Sequence, residues 1–521
     1  MDNQLMTRVP LEPALIRRFY IPLLLLVCLT AMCPFGRVAE YPLAEASTSL
    51  EPLFQAFVSK IAFLCCTEPG SSTISACTVL QLPDRVQYVF GFNQRNRSQL
   101  ETVQLGITKI LWLFGTRSGQ NKKTDDQIRT EALRASLELS ECRVGSYLKA
   151  LNDSLQHCLL ACTRDATGDD NPIRAELLNL FEKLKPCLSN HDATLNVTKL
   201  RVNHSALPDL ISSLNRLFKS DNLHHIRTRL AREDDLGSTR YWSDFTHVAG
   251  RLQSYKRAAD VILSVSKVWP RLFLDFQVCM IPSSSKTPEI LKGKPLTAED
   301  ISRKITSNQN SFLRFQEQLQ YLSVHNLDTK LAELWHDDPK PIVHAEVLVH
   351  SWLENSEGGI RPERFFNRWK FIGSSKPPCK LCSYFFDEHP GDVQVRPSHQ
   401  NVYFRWRTPD IYEHQGEEAR MIRMNVMDRI KTRVGADIAR IMSERLSDGR
   451  PHDSSAYTTL QQHGDIPGPH ASPYSVEATA LLLDSTSISG LPDETIDEND
   501  GEILLFRGRS STNRSVPGKL I

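Results

Sequence analysis

Apolar positions recur at helical spacing through most of the first 325 residues. Between residues 128 and 159, leucines and cysteines repeat every three or four positions in a segment that contains no proline, which is typical of an amphipathic helix. The same spacing predicts further helices over 173–184, 207–218, 224–232, 247–276 and 298–322. No fixed repeat length relates these segments, so a solenoid is not supported. Residues 46–325 are predicted to form a mainly α-helical domain of unknown role.

The pattern changes after residue 334, where short β-like runs alternate with short helices. A final amphipathic helix is predicted over 417–445, with Met427, Ile430, Val434, Ile438 and Ile441 on one face. Beyond it the chain is rich in Ser, Pro and Gly, and residues 446–521 contain eleven acidic and five basic residues. Such a composition does not bury enough apolar surface to fold, which predicts a disordered acidic tail over 447–521.

The N-terminal segment, residues 1–45, contains an apolar run of 13 residues at 21–33, preceded by Arg17 and Arg18. A transmembrane helix needs about 20 apolar residues, so the run is short for a bilayer span. Its length suits the hydrophobic region of a signal peptide, and a buried segment would show the same pattern. The sequence leaves three possibilities open for the segment around 17–33: a signal peptide, a membrane anchor, or a buried element of the core. Localisation is therefore undecided, and no other membrane contact is expected.

The composition narrows the functional classes. Lysine and arginine total 62 and aspartate and glutamate 61, for a net charge of +1, which argues against a generally basic protein that coats nucleic acid. Hydrophobic residues make up 40% of the chain, enough for a substantial core. The 12 cysteines are too sparse for a disulfide scaffold, although a few bridges stay possible, for example among Cys65, Cys66 and Cys77.

One constellation of residues carries recognisable chemistry. His344 and Glu346 lie two positions apart, and the run Pro378-Cys379-Lys380-Leu381-Cys382 follows 35 residues after His344. Pro378 favours a loop that opens into a helix, where Cys379 and Cys382 share one face of the first turn. The positive end of the helix dipole stabilises thiolates there. Two thiolates and an imidazole are three ligands for Zn²⁺, and they leave a fourth tetrahedral position open, as catalysis requires.

The pattern H-x-E…P-C-x-x-C is the signature of zinc nucleobase deaminases. Over residues 342–407 the sequence resembles the cytidine-deaminase-like superfamily, and most closely the uncharacterised deaminase-like proteins of fungi that carry a helical N-terminal extension. The resemblance implies an α/β fold, a three-layer α/β/α sandwich over residues 326–446. It also implies Zn²⁺ bound by His344, Cys379 and Cys382, with Glu346 as the catalytic acid and base.

The implied activity is hydrolytic deamination of a nucleobase in a nucleoside, a nucleotide or nucleic acid. Zn²⁺ lowers the pKa of a bound water toward 7, and Glu346 would move the proton to the base. The alternative is a catalytically inactive, zinc-stabilised interaction scaffold, against which the intact Glu346 argues.

Substrate contacts are less well defined by the sequence. Ten aromatic residues between 361 and 407 are interleaved with basic residues, which fits either a stacking surface for single-stranded nucleic acid or a domain core. Arg405 and Arg407 alternate with apolar neighbours, as on a half-exposed strand, and are the candidate contacts. His350 and His389 are weaker candidates for supporting roles, and Cys158 and Cys162 are expected to be core thiols.

Overall fold

The computed structural model describes residues 7–33, 50–115, 123–164, 171–189, 201–220, 222–236, 241–287, 290–291, 293–306, 309–337, 340–448 and 504–509. Within these ranges the chain forms ten β-strands: β1 (Arg8–Val9), β2 (Ser75–Gln81), β3 (Val86–Phe92), β4 (Leu188–Ser189), β5 (Arg201–Val202), β6 (Asp275–Met280), β7 (Phe371–Ser374), β8 (Gln394–Val395), β9 (Ile411–Tyr412) and β10 (Leu504–Arg509).

Helices dominate the rest of the described chain. In order they are α1 (Pro13–Met32), α2 (Glu51–Cys65), α3 (Arg97–Gly115), α4 (Asp125–Leu139), α5 (Glu141–Arg164), α6 (Asn171–Leu184), α7 (Leu207–Leu217), α8 (Asn222–Leu236), α9 (Tyr241–Val268), α10 (Arg271–Leu274), α11 (Ala298–Ile305), α12 (Gln309–Val324), α13 (Leu327–His336), α14 (Ala345–Asn355), α15 (Lys380–Glu388) and α16 (Gly416–Glu444).

A mixed six-stranded sheet in the order β10-β6-β3-β2-β7-β8 forms the centre of the molecule. The hairpin β2–β3 is antiparallel, β6 adds to β3 in parallel, and β7 joins β2 antiparallel through Cys77 and Gly373. Three of these strands, β2, β3 and β6, belong to the range 46–325 that the sequence predicts to be mainly helical. The sheet therefore crosses the predicted domain boundary at 325, and a division there would separate β2 from β7.

The two faces of the sheet are covered by different helices, which confirms the three-layer α/β/α arrangement. Side chains alternate between the faces of a strand: Tyr88 and Phe90 of β3 belong to one apolar core, and Val89 belongs to the other. Helix α2 lies against β7 so closely that a Cβ at Gly373 would stand 2.6 Å from the Ser59 nitrogen. On the opposite face, a Cβ at Gly91 would stand 2.8 Å from a methyl group of Val349 on α14.

The predicted helical region lies between two neighbouring strands of this sheet. Helices α3 to α10 connect β3 to β6; α9 packs on α2, and α5 packs on α9 in the same apolar core. The helical character is thus confirmed, although the predicted helices 128–159 and 298–322 are each divided into two. However, the segment before it, 75–92, forms the two strands on which the deaminase-like motif is supported.

Helix α1 contains the N-terminal apolar run. Among the described residues, it is the one helix long and apolar enough to span a bilayer, and most of it is buried within the protein. Phe19 stacks on Trp406 with ring centroids 6.0 Å apart, and the Tyr20 hydroxyl donates to the Trp406 carbonyl at 2.9 Å. Arg18 pairs with Asp428 of α16 at 2.8 Å.

The predicted final helix is confirmed as α16. Of the tail predicted over 447–521, residues 449–503 and 510–521 lie outside the described ranges. The first tail residues are anchored: Ser447 is buried, and Asp448 accepts a bond from Lys380 at 2.7 Å. Strand β10 pairs antiparallel with β6 over six residues. The rest of the predicted disordered tail lies outside the described ranges.

Candidate active site

Helix α14 presents the His-x-Glu half of the motif. Just before the helix, the Ile342 N–H donates to the Arg405 carbonyl, and the Ile342 carbonyl accepts from the Arg407 N–H. His344 is the N-cap residue, and its side chain makes no capping hydrogen bond. The first free N–H of the helix, that of Ala345, donates instead to the Asn93 side-chain oxygen at 2.9 Å. Because Asn93 takes over the capping role, the His344 imidazole is left to face the cysteines.

Helix α15 presents the cysteines in the same way. Strand β7 ends at Ser374, two prolines follow, and Cys379 becomes the N-cap residue, with φ −72° and ψ 168°. Its sulfur accepts the N–H of Cys382 at 3.5 Å. Both halves of the motif therefore stand at helix N-termini, as predicted, where unpaired N–H groups favour negative charge on sulfur.

The three predicted ligands converge in space. His344 Nδ1 lies 3.5 Å from the Cys379 sulfur and 3.4 Å from the Cys382 sulfur. All three ligand atoms lie within 4.8 Å of one another, as a group that could hold one metal ion. The structure adds a detail that the sequence does not contain, namely that Nδ1 is the imidazole nitrogen facing the sulfurs. Within the described chain no fourth His, Cys, Asp or Glu joins this group.

The cluster is buried and strongly polarised. Burial raises the pKa of the Cys382 thiol, and the adjacent Cys379 sulfur raises it further. Burial also opposes ionisation of Cys379, but hydrogen bonds from Cys382 and the charge of His344 outweigh it, so the pKa of Cys379 falls well below its usual value. Burial alone would lower the pKa of His344, and the Cys379 thiolate reverses this and raises that pKa. The negative charge of Cys379 and the positive charge of His344 thus favour each other.

Glu346 lies beside the ligands without joining them. Its side chain is buried, and one carboxylate oxygen stands 3.9 Å from the Cys382 sulfur. Burial raises the pKa of Glu346 above its usual value, although His344 and a hydrogen bond with Ser374 act in the opposite direction. A buried carboxyl with a raised pKa can carry a proton near neutral pH.

Sequence reasoning did not find the residues that support this site from distant segments. Asn93 comes from the end of β3, and Ser374 ends β7. Tyr403 places its ring 6.5 Å from that of His344 and is 38% exposed. Lys380, between the two cysteines, is buried in ion pairs with Asp437 at 2.8 Å and Asp448. Asn93 follows a short apolar run at 86–92, and no motif in the sequence connects it with His344.

The two arginines proposed as substrate contacts lie in different environments. Arg405 is well exposed and stands 3.5 Å from Asp337. Arg407 is 5% exposed and ion-pairs with Asp410 at 2.7 Å, and it also donates to the Ser285 carbonyl. The expected strand over 401–407 is reduced to one bridge between Ile342 and Trp406. Arg407 is therefore a buried, ion-paired residue. It does not lie on the exposed face of a strand, as its alternation with apolar residues had suggested.

The aromatic residues of 365–406 mostly form core, which was one of the two open interpretations. Buried members are Phe365, Phe366, Phe371, Tyr384, Phe385, Phe386, Phe404 and Trp406. Tyr403 is the exposed aromatic residue beside His344. Its ring is therefore accessible for stacking with a base.

The remaining candidates are placed away from the ligands. His350 and His389 form a second group with Glu354, in which His389 Nε2 lies 3.3 Å from one carboxylate oxygen and His350 Nδ1 lies 3.4 Å from the other. His389 Nδ1 also accepts the Gly391 N–H, so a neutral ring would carry its proton on Nε2. None of the twelve cysteines, all of which lie in the described ranges, forms a disulfide; this includes the buried Cys158 and Cys162 and the group Cys65, Cys66 and Cys77.

Comparison with known proteins supports the deaminase-like assignment for one segment. Residues 343–410 match a family model described as OTT_1508_deam-like deaminase. This segment contains all four motif residues, His344, Glu346, Cys379 and Cys382. No curated protein and no solved structure matches the chain.

Proposed function

We propose that the protein is a zinc-dependent hydrolase that deaminates an amino-substituted nucleobase. The observation that carries this proposal is the three-ligand cluster of His344, Cys379 and Cys382 with the buried carboxyl of Glu346 beside it. A purely structural zinc site has four protein ligands, whereas a catalytic one keeps a position open. Three ligands plus an adjacent buried acid match the second arrangement.

The ligand separations fit Zn²⁺. Bond lengths of about 2.3 Å to sulfur and about 2.05 Å to nitrogen, at a tetrahedral angle, place the two ligand atoms about 3.6 Å apart. The observed distances from His344 Nδ1 to the two sulfurs are 3.5 and 3.4 Å. Zn²⁺, when bound, supplies a Lewis acid that makes a water molecule acidic near neutral pH.

The protein's own residues would then move the protons. Glu346 accepts a proton as the water oxygen bonds to the ring carbon that bears the amino group. It delivers one water proton to the ring nitrogen and the second to the departing amino nitrogen, so that water and the aminated base become a carbonyl base and ammonia. Ser374 orients the Glu346 carboxyl by a hydrogen bond. The exposed ring of Tyr403 next to His344 offers a surface on which the base can stack.

The test is metal content followed by ammonia release. The purified full-length protein should contain one zinc per chain, and a panel of nucleosides, nucleotides and single-stranded oligonucleotides should include at least one that releases ammonia. Protein stripped of metal by a chelator should release none until zinc is restored. Stoichiometric zinc without ammonia from any member of the panel would instead favour the scaffold function.

A further inference from the structure

A second concentration of charge lies on the other face of the sheet, between α2, α5 and α9. It consists of Lys60, Arg143, Arg251 and Arg257, which are called the cationic cluster below. Three of its members surround the ring of Phe63: the Lys60 nitrogen is 5.7 Å from the ring centroid, and the guanidinium carbons of Arg143 and Arg251 are at 6.0 and 4.9 Å. Arg143 and Arg251 are 3% and 2% exposed.

The hydrogen bonds of the cluster go to neutral groups. Arg143 donates to the Cys66 carbonyl at 2.7 Å and to the Tyr147 hydroxyl, which also accepts from Arg251 at 3.1 Å. Arg257 donates to the Gln253 amide oxygen. Two buried donors, Arg251 Nη2 and Gln253 Nε2, have no hydrogen-bond partner within the described structure.

No carboxylate of the described chain forms an ion pair with any of the four cations. The nearby Glu68 lies 3.8 Å from Arg95 instead. The excess of positive charge affects the cluster itself and the groups beside it. Burial lowers the pKa of Lys60 to about 7, and the charges of Arg396, Arg257 and Arg251 lower it further. For Tyr147, burial opposes ionisation, but Arg251 and Arg143 outweigh it and lower its pKa.

Buried charges in proteins are normally paired, because an isolated ion in a low-dielectric interior is costly. An unpaired buried guanidinium beside other cations therefore calls for an anion. Guanidinium groups present their donors in a planar fork that matches phosphate oxygens. A singly charged ion such as chloride would offset one of these charges and would not use the donor geometry.

We propose that the cationic cluster binds a phosphate-bearing anion, held by Arg251 Nη2, Arg143 and Lys60 where side chains of α2, α5 and α9 meet. The site does not depend on the deaminase function proposed above. The chemistry that fits it is that of a polyphosphorylated small molecule.

The experiment uses the purified full-length protein and needs no enzymatic activity. Phosphorus per chain is measured by elemental mass spectrometry after dialysis into phosphate-free buffer. The melting temperature is then compared in inorganic phosphate, pyrophosphate, tripolyphosphate and sodium chloride at equal ionic strength. We expect either about one bound phosphorylated molecule per chain or a rise of about 3 °C or more in pyrophosphate or tripolyphosphate over chloride. Arg251→Gln should abolish both signals.

Because Arg251 is buried, a second variant guards against a folding defect. Lys60 is only half-buried, and Lys60→Met should fold and lose most of the rise. Lys149→Met, an exposed change on α5, removes the same charge outside the cluster and should keep the full rise. Tightly bound phosphorus identifies a resident molecule, and a rise in melting temperature without bound phosphorus identifies one that exchanges with the buffer. Absence of both phosphorus and any rise, or an equal rise in all variants, would overturn the proposal.

Discussion

The side-chain oxygen of Asn93 accepts a hydrogen bond from the backbone N–H of Ala345 at 2.9 Å, across 252 positions of the chain. This contact replaces the cap that His344 does not provide, since the imidazole faces the two cysteines. Strand β3 therefore stabilises the helix that carries half of the catalytic motif.

Replacing Asn93 by Ala should lower the free energy of unfolding by about 0.5–2 kcal/mol, the usual contribution of a helix cap. It should also weaken metal affinity, because His344 would no longer be held at the start of α14. Asn93→Asp keeps an acceptor and should retain most of both. Urea denaturation and zinc titration measure the two effects, and equal loss in the two variants would argue against a capping role.

Replacing Cys379 by Ser should remove the bound metal and lower the melting temperature, because metal binding is coupled to folding. Cys142→Ser is the matched control, since Cys142 is exposed and is not one of the three ligands. Zinc analysis by mass spectrometry and thermal melts provide the readout. A Cys379→Ser protein with stoichiometric zinc would show that the ligand assignment is wrong.

Replacing Glu346 by Gln should leave zinc content and folding near the wild-type level, because no ligand is removed. Turnover should fall by about 10²–10⁴-fold or more, the range that general acid–base catalysis contributes. Glu418→Gln, an exposed change on α16, is the control for loss of a carboxylate. Loss of zinc from Glu346→Gln would instead make Glu346 a fourth ligand of a closed, structural site.

The stability of the protein should depend on His389 at acidic pH. Burial, with a smaller effect of His350, lowers the pKa of His389 to about 4, whereas the unfolded chain titrates near 6.5. Between these values the unfolded chain binds more protons, so the free energy of unfolding falls as the pH decreases from about 6.5 to about 4. The loss is up to about 3 kcal/mol at about 1.4 kcal/mol per pKa unit. Urea melts at several pH values should show a flatter dependence for His389→Gln, and an unchanged slope would contradict the assignment.

Two C-terminal truncations separate the anchored start of the tail from the rest. Ending the chain after Leu446 removes Asp448, one of the two carboxylates paired with buried Lys380, and should lower the melting temperature by several degrees. Ending it after Asp448 keeps that pair and removes β10, which exposes the edge of β6. We expect the truncation after Asp448 to cause mainly increased self-association, which light scattering measures. Identical melting temperatures for both truncations would deny the role of Asp448.

Local signals in the sequence determined the parts of the site that a few neighbouring residues define. Pro378 and the spacing of Cys379 and Cys382 place both sulfurs on one helical turn, because cap geometry depends only on adjacent backbone. The apolar stripe of α16 could also be predicted, because it follows from the 3.6-residue period of a helix along a continuous segment. Residues 86–92, which form β3, are a short apolar run in the sequence. Nothing in that run indicates which strands it pairs with.

Only the tertiary structure decided which distant segments meet. Val89 pairs with Cys279 across the whole helical insertion, and no local periodicity encodes such a parallel pairing, since strands of either range would pair equally well by propensity. The same limit applies to Arg407, whose burial depends on the ion pair with Asp410, and to the cationic cluster, which three helices assemble. Hydrophobic pattern reports which side of an element faces inward, whereas charge pairing and strand order depend on contacts that form only when the chain is folded.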